Sequence, residues 1–226
     1  MRTIELKVYK FNELSDEAKA KVLERHRNWN VDYTDWYDCV YEIWQEKLAA
    51  VGFDDAKIHF SGFWSQGDGA CFDAEIKALI FAKAHGYNDL ECHIIEMFDP
   101  RYKIENVNSH YSHENCRDVQ YQECYNGLAE MEKVLDTPKD ERPLLIGTLE
   151  EAEAVSLLET ILQSGSDLRP DLFMSLEKDM EKAREDLSRQ IYRDLESEYE
   201  SLTTDEAVIE SLESNDIEFD EDGDDI

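Results

Sequence analysis

Ser61-Gly62-Phe63-Trp64-Ser65-Gln66-Gly67-Asp68-Gly69-Ala70-Cys71-Phe72 decides how this chain folds. Aromatic residues stand on both sides of a Gly-Asp-Gly, which reads as a strand running into a tight turn and a second strand leaving it. Gly67 and Gly69 permit positive φ or a close backbone approach. Ser65, Gln66 and Asp68 then lie together at the bend with Trp64 beside them, as candidate ligand-binding residues. The plainer reading of so short a motif is a well-made hairpin turn.

Upstream, Arg2 to Lys10 alternates, with Ile4, Leu6 and Val8 on one face, the pattern of a half-buried strand. Ser15 supplies an N-cap, and Asp16 and Glu17 a favourable first-turn charge, for a helix reaching about Trp29. Tyr33 to Val51 sets Trp36, Tyr37, Val40, Tyr41, Trp44 and Leu48 at helical spacing and ends at Gly52, a C-cap residue. Large aromatics so spaced pack cores more often than they stack ligands. Ile58 and Phe60 lead as a strand into the opening stretch. Beyond Phe72 the alternation relaxes. Ile76, Leu79, Ile80 and Ala84 predict a helix as far as Gly86, and Leu90 to Phe98 predict another, stopped by Asp99-Pro100.

From Lys103 to Cys124 the pattern returns to strands, around Ser109-His110-Tyr111-Ser112-His113-Glu114-Asn115. His110, His113 and Glu114 carry groups that bind divalent metals or move protons. Residues three apart on an extended strand point to opposite faces, so the two histidines converge only if the chain turns between them. A site there also needs a ligand from elsewhere, Asp68 being the obvious candidate. A structural polar hairpin is the expected reading; no metal, cofactor or catalytic residue is assigned.

The 226 residues are 42% hydrophobic, enough to bury a real core. Against 23 Lys and Arg stand 54 Asp and Glu, a formal charge of -31 that exceeds what solubility needs. Such a field repels nucleic acid and anionic membranes and attracts cationic protein surfaces, including clefts lined with Lys and Arg for phosphate contact. A solvated acidic surface with no partner is the bland alternative. No apolar run approaches the roughly 20 residues of a membrane span, and Met1-Arg2-Thr3-Ile4-Glu5 lacks a signal-peptide core, so an intracellular, soluble protein is expected. Cys39, Cys71, Cys92, Cys116 and Cys124 form no Cys-x-x-Cys pair and read as reduced, mostly buried thiols.

Past a Pro-containing link, residues 136–143, the charge concentrates: residues 1–137 hold 15 basic and 26 acidic residues, a net of -11, and residues 138–226 hold 8 and 28, a net of -20. Leu149 to Leu162 is patterned as an amphipathic helix stopped by Gly165. A longer helix from about Pro170 to Leu202 carries Leu172, Leu176, Met180, Ala183, Leu187, Ile191, Leu195 and Tyr199 on one stripe, whose spacing drifts from a strict heptad. After Arg193 there is no Lys or Arg, while Asp and Glu number fifteen. A helix face of regularly spaced carboxylates can imitate phosphate rows, although such faces are commonly just solvated. Glu196, Glu198, Glu200 and Glu206 are therefore candidate partner-binding residues. The tail, Ser214 to Ile226, is too acidic to fold alone and is expected to be disordered, with Ile217 and Phe219 free to dock in a basic, apolar-floored groove. As a calcium loop it lacks the distal Glu. In composition it resembles the acidic tips of bacterial single-stranded-DNA-binding proteins.

Phe11-Asn12-Glu13-Leu14-Ser15-Asp16-Glu17-Ala18-Lys19, the stretch Phe60 to Ala70, and Tyr111-Ser112-His113-Glu114-Asn115 together resemble a family of small proteins encoded by tailed bacteriophages, some of them labelled antitoxin-like. The resemblance covers roughly the first half of the chain. It implies a phage product acting in the cytoplasm of an infected bacterium, and it brings no catalytic residue.

The expected fold is α+β: a small, mostly antiparallel sheet packed by helices over residues 1–137, an acidic helical region over 138–213, and the tail over 214–226. The leading functional expectation is an inhibitor that binds the basic surface of a host defence or DNA-processing protein, by nucleic-acid mimicry, touching neither nucleic acid nor membrane itself. The alternatives are a small-ligand or nucleotide-binding protein or hydrolase joining the Ser65–Asp68 turn to His110–Glu114, and an antitoxin-like binder of a basic toxin. A binding protein is expected over an enzyme.

Overall fold

The hairpin around Gly-Asp-Gly is the centre of a three-stranded antiparallel sheet ordered β1 (Phe53–Phe60), β2 (Ala70–Lys77), β3 (Arg101–Ile104). Phe60 pairs with Ala70, so residues 61–69 form a broad loop in place of the tight turn expected. Helices α1 (Asp16–His26), α2 (Asp38–Ala50), α3 (Ala78–Ala84), α4 (Asp89–Phe98), α5 (Leu168–Leu202) and α6 (Asp205–Ser214) complete an α+β fold. The structure, a computed structural model, describes residues 7–98, 101–104 and 168–226. The expected helix over 149–162, the link at 136–143 and the strands beyond Ile104 lie outside the described residues. No described helix is long and apolar enough to cross a membrane.

One irregularity lets β1 serve the core. Asp54 pairs with Glu75 and Lys57 with Asp73, so β1 spends three steps where β2 spends two. The extra residue is a β-bulge, and Asp55 takes the positive φ of 49° that it requires. Strand side chains alternate with period two, so the added residue changes the parity: Phe53 ahead of the bulge and Ala56 and Ile58 behind it are all buried. They share the interior with Ala70, Phe72, Ala74 and Ile76 of β2 and Tyr102 and Ile104 of β3. Ile76, expected in the following helix, belongs to this strand face, and the chain turns helical only at Ala78.

Phe53 meets Phe72 and Phe81 edge-on at centroid distances of 5.3 and 5.6 Å, the favoured geometry for aromatic pairs. Gly52, the expected C-cap of α2, makes this contact possible. Its φ is +96°, and a Cβ there would lie 2.7 Å from the backbone nitrogen of Phe81. Its carbonyl accepts from Lys77 N at 2.8 Å.

The chain divides into two compact units, residues 44–190 and residues 1–43 with 191–226. In the second of these, Ser15 Oγ accepts from Ala18 N at 3.2 Å and starts α1, which buries Ala18 and Val22. These pack with Phe11, Leu14, Val208, Leu212 and Phe219 into one apolar cluster. The tail is thus not disordered. Tyr9 and Phe219 exchange two backbone hydrogen bonds, of 2.8 and 2.9 Å, and the Phe219 ring is wholly buried. Gly223 lies close enough to α1 that a Cβ would come within 3.0 Å of the Ala18 carbonyl oxygen. The tail lacks the apolar surface to fold by itself, but α1 and α6 supply the missing surface.

The buried stripe of α5 also departs from expectation. Between Met180 and Ile191 it runs through Arg184 and Ser188, 2% and 1% exposed, with Ala183 and Leu187 only half-buried. Steps of four from Leu176 and Met180 continue to 184 and 188, so helical phase overrides the apolar character of their neighbours. Arg184 Nε and Ser188 Oγ have no hydrogen-bond partner among the described residues.

Three measurements of thermal or denaturant unfolding check these points. Phe219→Ala is expected to cost about 3–5 kcal/mol, where a free tail would tolerate it. Gly52→Ala is expected to cost upward of about 1 kcal/mol through backbone strain and the Phe81 clash. Arg184→Met replaces a buried guanidinium whose Nε has no hydrogen-bond partner among the described residues and is expected to raise the melting temperature, each kcal/mol gained being worth about 2–4 °C at this chain length.

Candidate functional site

Asp68 is the organising side chain of the 61–69 loop. Its Oδ2 accepts from the backbone N–H groups of Trp64 at 3.1 Å and Ser65 at 2.7 Å, and Asp68 N donates to Ser65 O at 3.0 Å. Gly62, at φ +129°, passes so near that a Cβ would meet the same carboxylate oxygen at 2.9 Å. Ser61 Oγ accepts from Gly69 N at 3.2 Å and closes the neck of the loop. The carboxylate is committed to the backbone, which makes it a structural group. Ser65 and Gln66 are exposed, and Trp64 stands 76% exposed at the loop's tip. His110, His113 and Glu114 lie outside the described residues. Among the described residues no three His, Cys, Asp or Glu side chains converge as a metal site.

A second polar feature lies on the sheet, which sequence reasoning passed over. An open cleft of about 710 Å³ is lined by Gln45, Asp55, Lys57, Asp73, Glu75 and Lys103. Beside it the imidazole Nε2 of His59 lies 2.9 Å from Asp73 Oδ2, both side chains about 30% exposed. Lys57 stands opposite Asp73, and Glu75 opposite Lys103, so the cleft wall carries alternating signs. Gln45 Nε2 donates to Ala56 O at 3.3 Å and so helps hold the bulge. The same-face alternation of Lys57 with His59 and Asp73 with Glu75 is visible in the sequence, but only the strand register brings the two rows together.

Elsewhere in residues 44–190, the Tyr87 hydroxyl donates to Asp179 at 2.8 Å, and burial together with this bond pushes the phenol up to about 12. Burial also raises the Cys92 thiol, which keeps it protonated and poor as a nucleophile. Cys71 is likewise buried and Cys39 exposed.

The acid-rich candidate site belongs to residues 1–43 with 191–226. This unit holds 24 acidic against 8 basic residues, a net of -16. Three of its eight Lys and Arg side chains, Lys10, Arg25 and Arg27, pair with the unit's own acids while staying partly exposed. Lys10 Nζ lies 2.7 Å from Asp216 and 3.2 Å from Glu218, and the hydrogen bond to Asp216 raises the ammonium's pKa above its ordinary value. Arg25 donates to the Gly223 carbonyl at 3.0 Å and to the Asp224 carboxylate, and His26 Nε2 lies 3.0 Å from Asp225 Oδ1. Arg27 bonds Asp205 at 2.9 Å and the Thr203 carbonyl at 3.2 Å. Glu196, Glu200 and Glu206 remain exposed and Glu198 half-exposed, as a partner-binding face requires. Ile217 and Phe219 do not: Phe219 is core and Ile217 packs against it, so neither serves as a free docking anchor.

Residues 36–205 match a family described as a domain of unknown function, DUF8835. No curated protein and no solved structure matches the chain.

Replacing Asp68 tests its assignment to the loop. Asp68→Ala is expected to cost about 1–3 kcal/mol and to accelerate hydrogen exchange at the amides of Trp64 and Ser65, and Asp68→Asn, which keeps an acceptor oxygen, to recover part of the loss. Unchanged exchange in Asp68→Ala would contradict a structural role.

Proposed function

The chain belongs to DUF8835, a family of unknown function, and we propose that it is an acidic inhibitor that binds a cationic nucleic-acid site on a host defence or DNA-processing protein. The observation that carries this reading is the uneven use of charge in residues 1–43 with 191–226. Lys10, Arg25 and Arg27 are occupied by the unit's own carboxylates, and the exposed end of α5 carries acid without a cation after Arg193.

The spacing supports mimicry in scale. Carboxylates at i and i+4, such as Glu196 with Glu200 or Asp194 with Glu198, repeat about every 6 Å along a helix axis. A DNA strand carries one charge per roughly 3.4 Å of axis, so one row supplies about half that density and two adjacent rows restore it. Exposed Glu206, Glu210 and Glu213 on α6 extend the acidic surface. The resemblance of the first half of the chain to tailed-phage proteins supports an action inside an infected bacterial cell. The same face suits a basic toxin as its target, which differs in partner and not in physics.

The His59–Asp73 pair beside the sheet cleft favours a second reading, a binding site for a small polar ligand. Its mixed signs suit a zwitterionic molecule better than a polyanion.

Capture from bacterial lysate at low and physiological salt, with and without nuclease, separates the readings. For the inhibitor, affinity is expected to fall about tenfold or more with added salt and nucleic acid to compete for the same target. Changing Glu196, Glu198, Glu200 and Glu206 together to Gln is expected to weaken capture with helical content intact. Simultaneous occupation of the target by nucleic acid and this protein would refute mimicry, and loss of function in Asp73→Asn with the glutamate variant unaffected would favour the cleft.

A further inference from the structure

Residues 28–37 form two short 3-10 turns, Trp29–Val31 and Thr34–Tyr37, with Asp32 and Tyr33 between them. The segment is fixed at both ends to one side chain. Asn28 Oδ1 accepts from the Tyr199 hydroxyl at 3.2 Å, and the Trp36 ring meets the Tyr199 ring edge-on at 5.8 Å. Between these ties, Asn30 Nδ2 donates to the Leu202 carbonyl at 3.0 Å and Asn30 Oδ1 accepts from Ser211 Oγ at 2.7 Å. A loop held in this way loses little conformational freedom on binding.

What the ties hold outward is aromatic. Tyr33 is 77% exposed and Trp29 37% exposed, its ring centroid 5.0 Å from that of His26 and tilted 55° to it. Asp32 and Asp35 flank Tyr33 and are exposed. Glu196, one turn before Tyr199, and Glu200, next to it, are exposed on the helix to which the loop is tied. Rings with carboxylates around them differ from a merely acidic face in the cation they select. An ammonium is compact and strongly hydrated, whereas a guanidinium is planar, weakly hydrated, stacks on an aromatic face and pairs with a carboxylate through two parallel hydrogen bonds.

We propose that Trp29 and Tyr33, with Asp32, Asp35, Glu196 and Glu200 around them, form an arginine-selective anchor, so that the partner is bound through an arginine-rich surface and not through an equally charged lysine-rich one. The inference rests on the acidic-inhibitor reading and adds to it the identity of the cation. Aromatic residues in fixed positions contribute disproportionately to binding at interfaces, and Arg is the cationic side chain enriched at such contacts.

Calorimetric titration of the full chain with two peptides of equal length and charge, one alternating arginine with glycine and one lysine with glycine, tests this at low salt. The arginine peptide is expected to bind about fivefold to tenfold more tightly, the gain of one or two cation–π contacts. Tyr33→Ala and Trp29→Ala are expected to bring it down to the lysine peptide's affinity, and Tyr33→Phe, which keeps the ring, to retain the preference. Tyr33 is so exposed that its replacement leaves the core untouched, as an unchanged melting temperature will verify. Equal binding of the two peptides, or a preference that survives both alanine variants, would overturn the anchor while leaving the acidic face in place. Failure of both peptides to bind at low salt would remove the acidic-face reading and the anchor with it.

Discussion

The burial of Phe219 holds together residues that are two hundred positions apart in the chain. Its ring is fully enclosed by side chains from the N-terminal segment, α1 and α6, and its backbone exchanges two hydrogen bonds with Tyr9. Burying such a ring is worth about 1.5–3 kcal/mol. That gain is set against the entropy of ordering a tail with little other apolar surface. The ion pairs of Lys10 and Arg25 are largely exposed and add little to this balance, because solvent screens them. Their larger effect is on register, since they fix which carboxylates of the tail lie beside the N-terminal segment and α1.

This explains why the tail's character was misread from sequence. Composition measures what a segment can bury by itself, and Ser214 to Ile226 buries too little. The deciding fact is an apolar surface provided by residues at the opposite end of the chain, which local patterning does not display. Periodicity did anticipate α1, α2 and the long α5, and the caps at Ser15 and Gly52. It missed the phase of α5 at Arg184 and Ser188, where choosing apolar neighbours shifted the stripe by one residue.

The sheet site was hidden for a different reason. A two-residue turn fixes hairpin register, but the broad 61–69 loop leaves it open, and the bulge at Asp55 moves it once more. Without register, His59 and Asp73 are two polar residues on separate strands. The opening motif was informative about the existence of the hairpin and misleading about its chemistry: Asp68, the most reactive-looking group in it, is occupied by two backbone amides.

Charge and fold are therefore coupled in residues 1–43 with 191–226. Carboxylates at i and i+4 on the end of α5 repel one another by about 0.2–0.5 kcal/mol per pair, and the helix retains them where Lys or Arg would relieve the strain. Lys10, Arg25 and Arg27, on α1 and beside it, hold the tail and the start of α6. A surface that was merely solvated would gain stability from a mixture of signs. Pairing of Lys10, Arg25 and Arg27 with the unit's own carboxylates, with Glu196 and Glu200 left exposed beside a pinned aromatic loop, segregates sign in the way the proposed complementarity to a basic partner calls for.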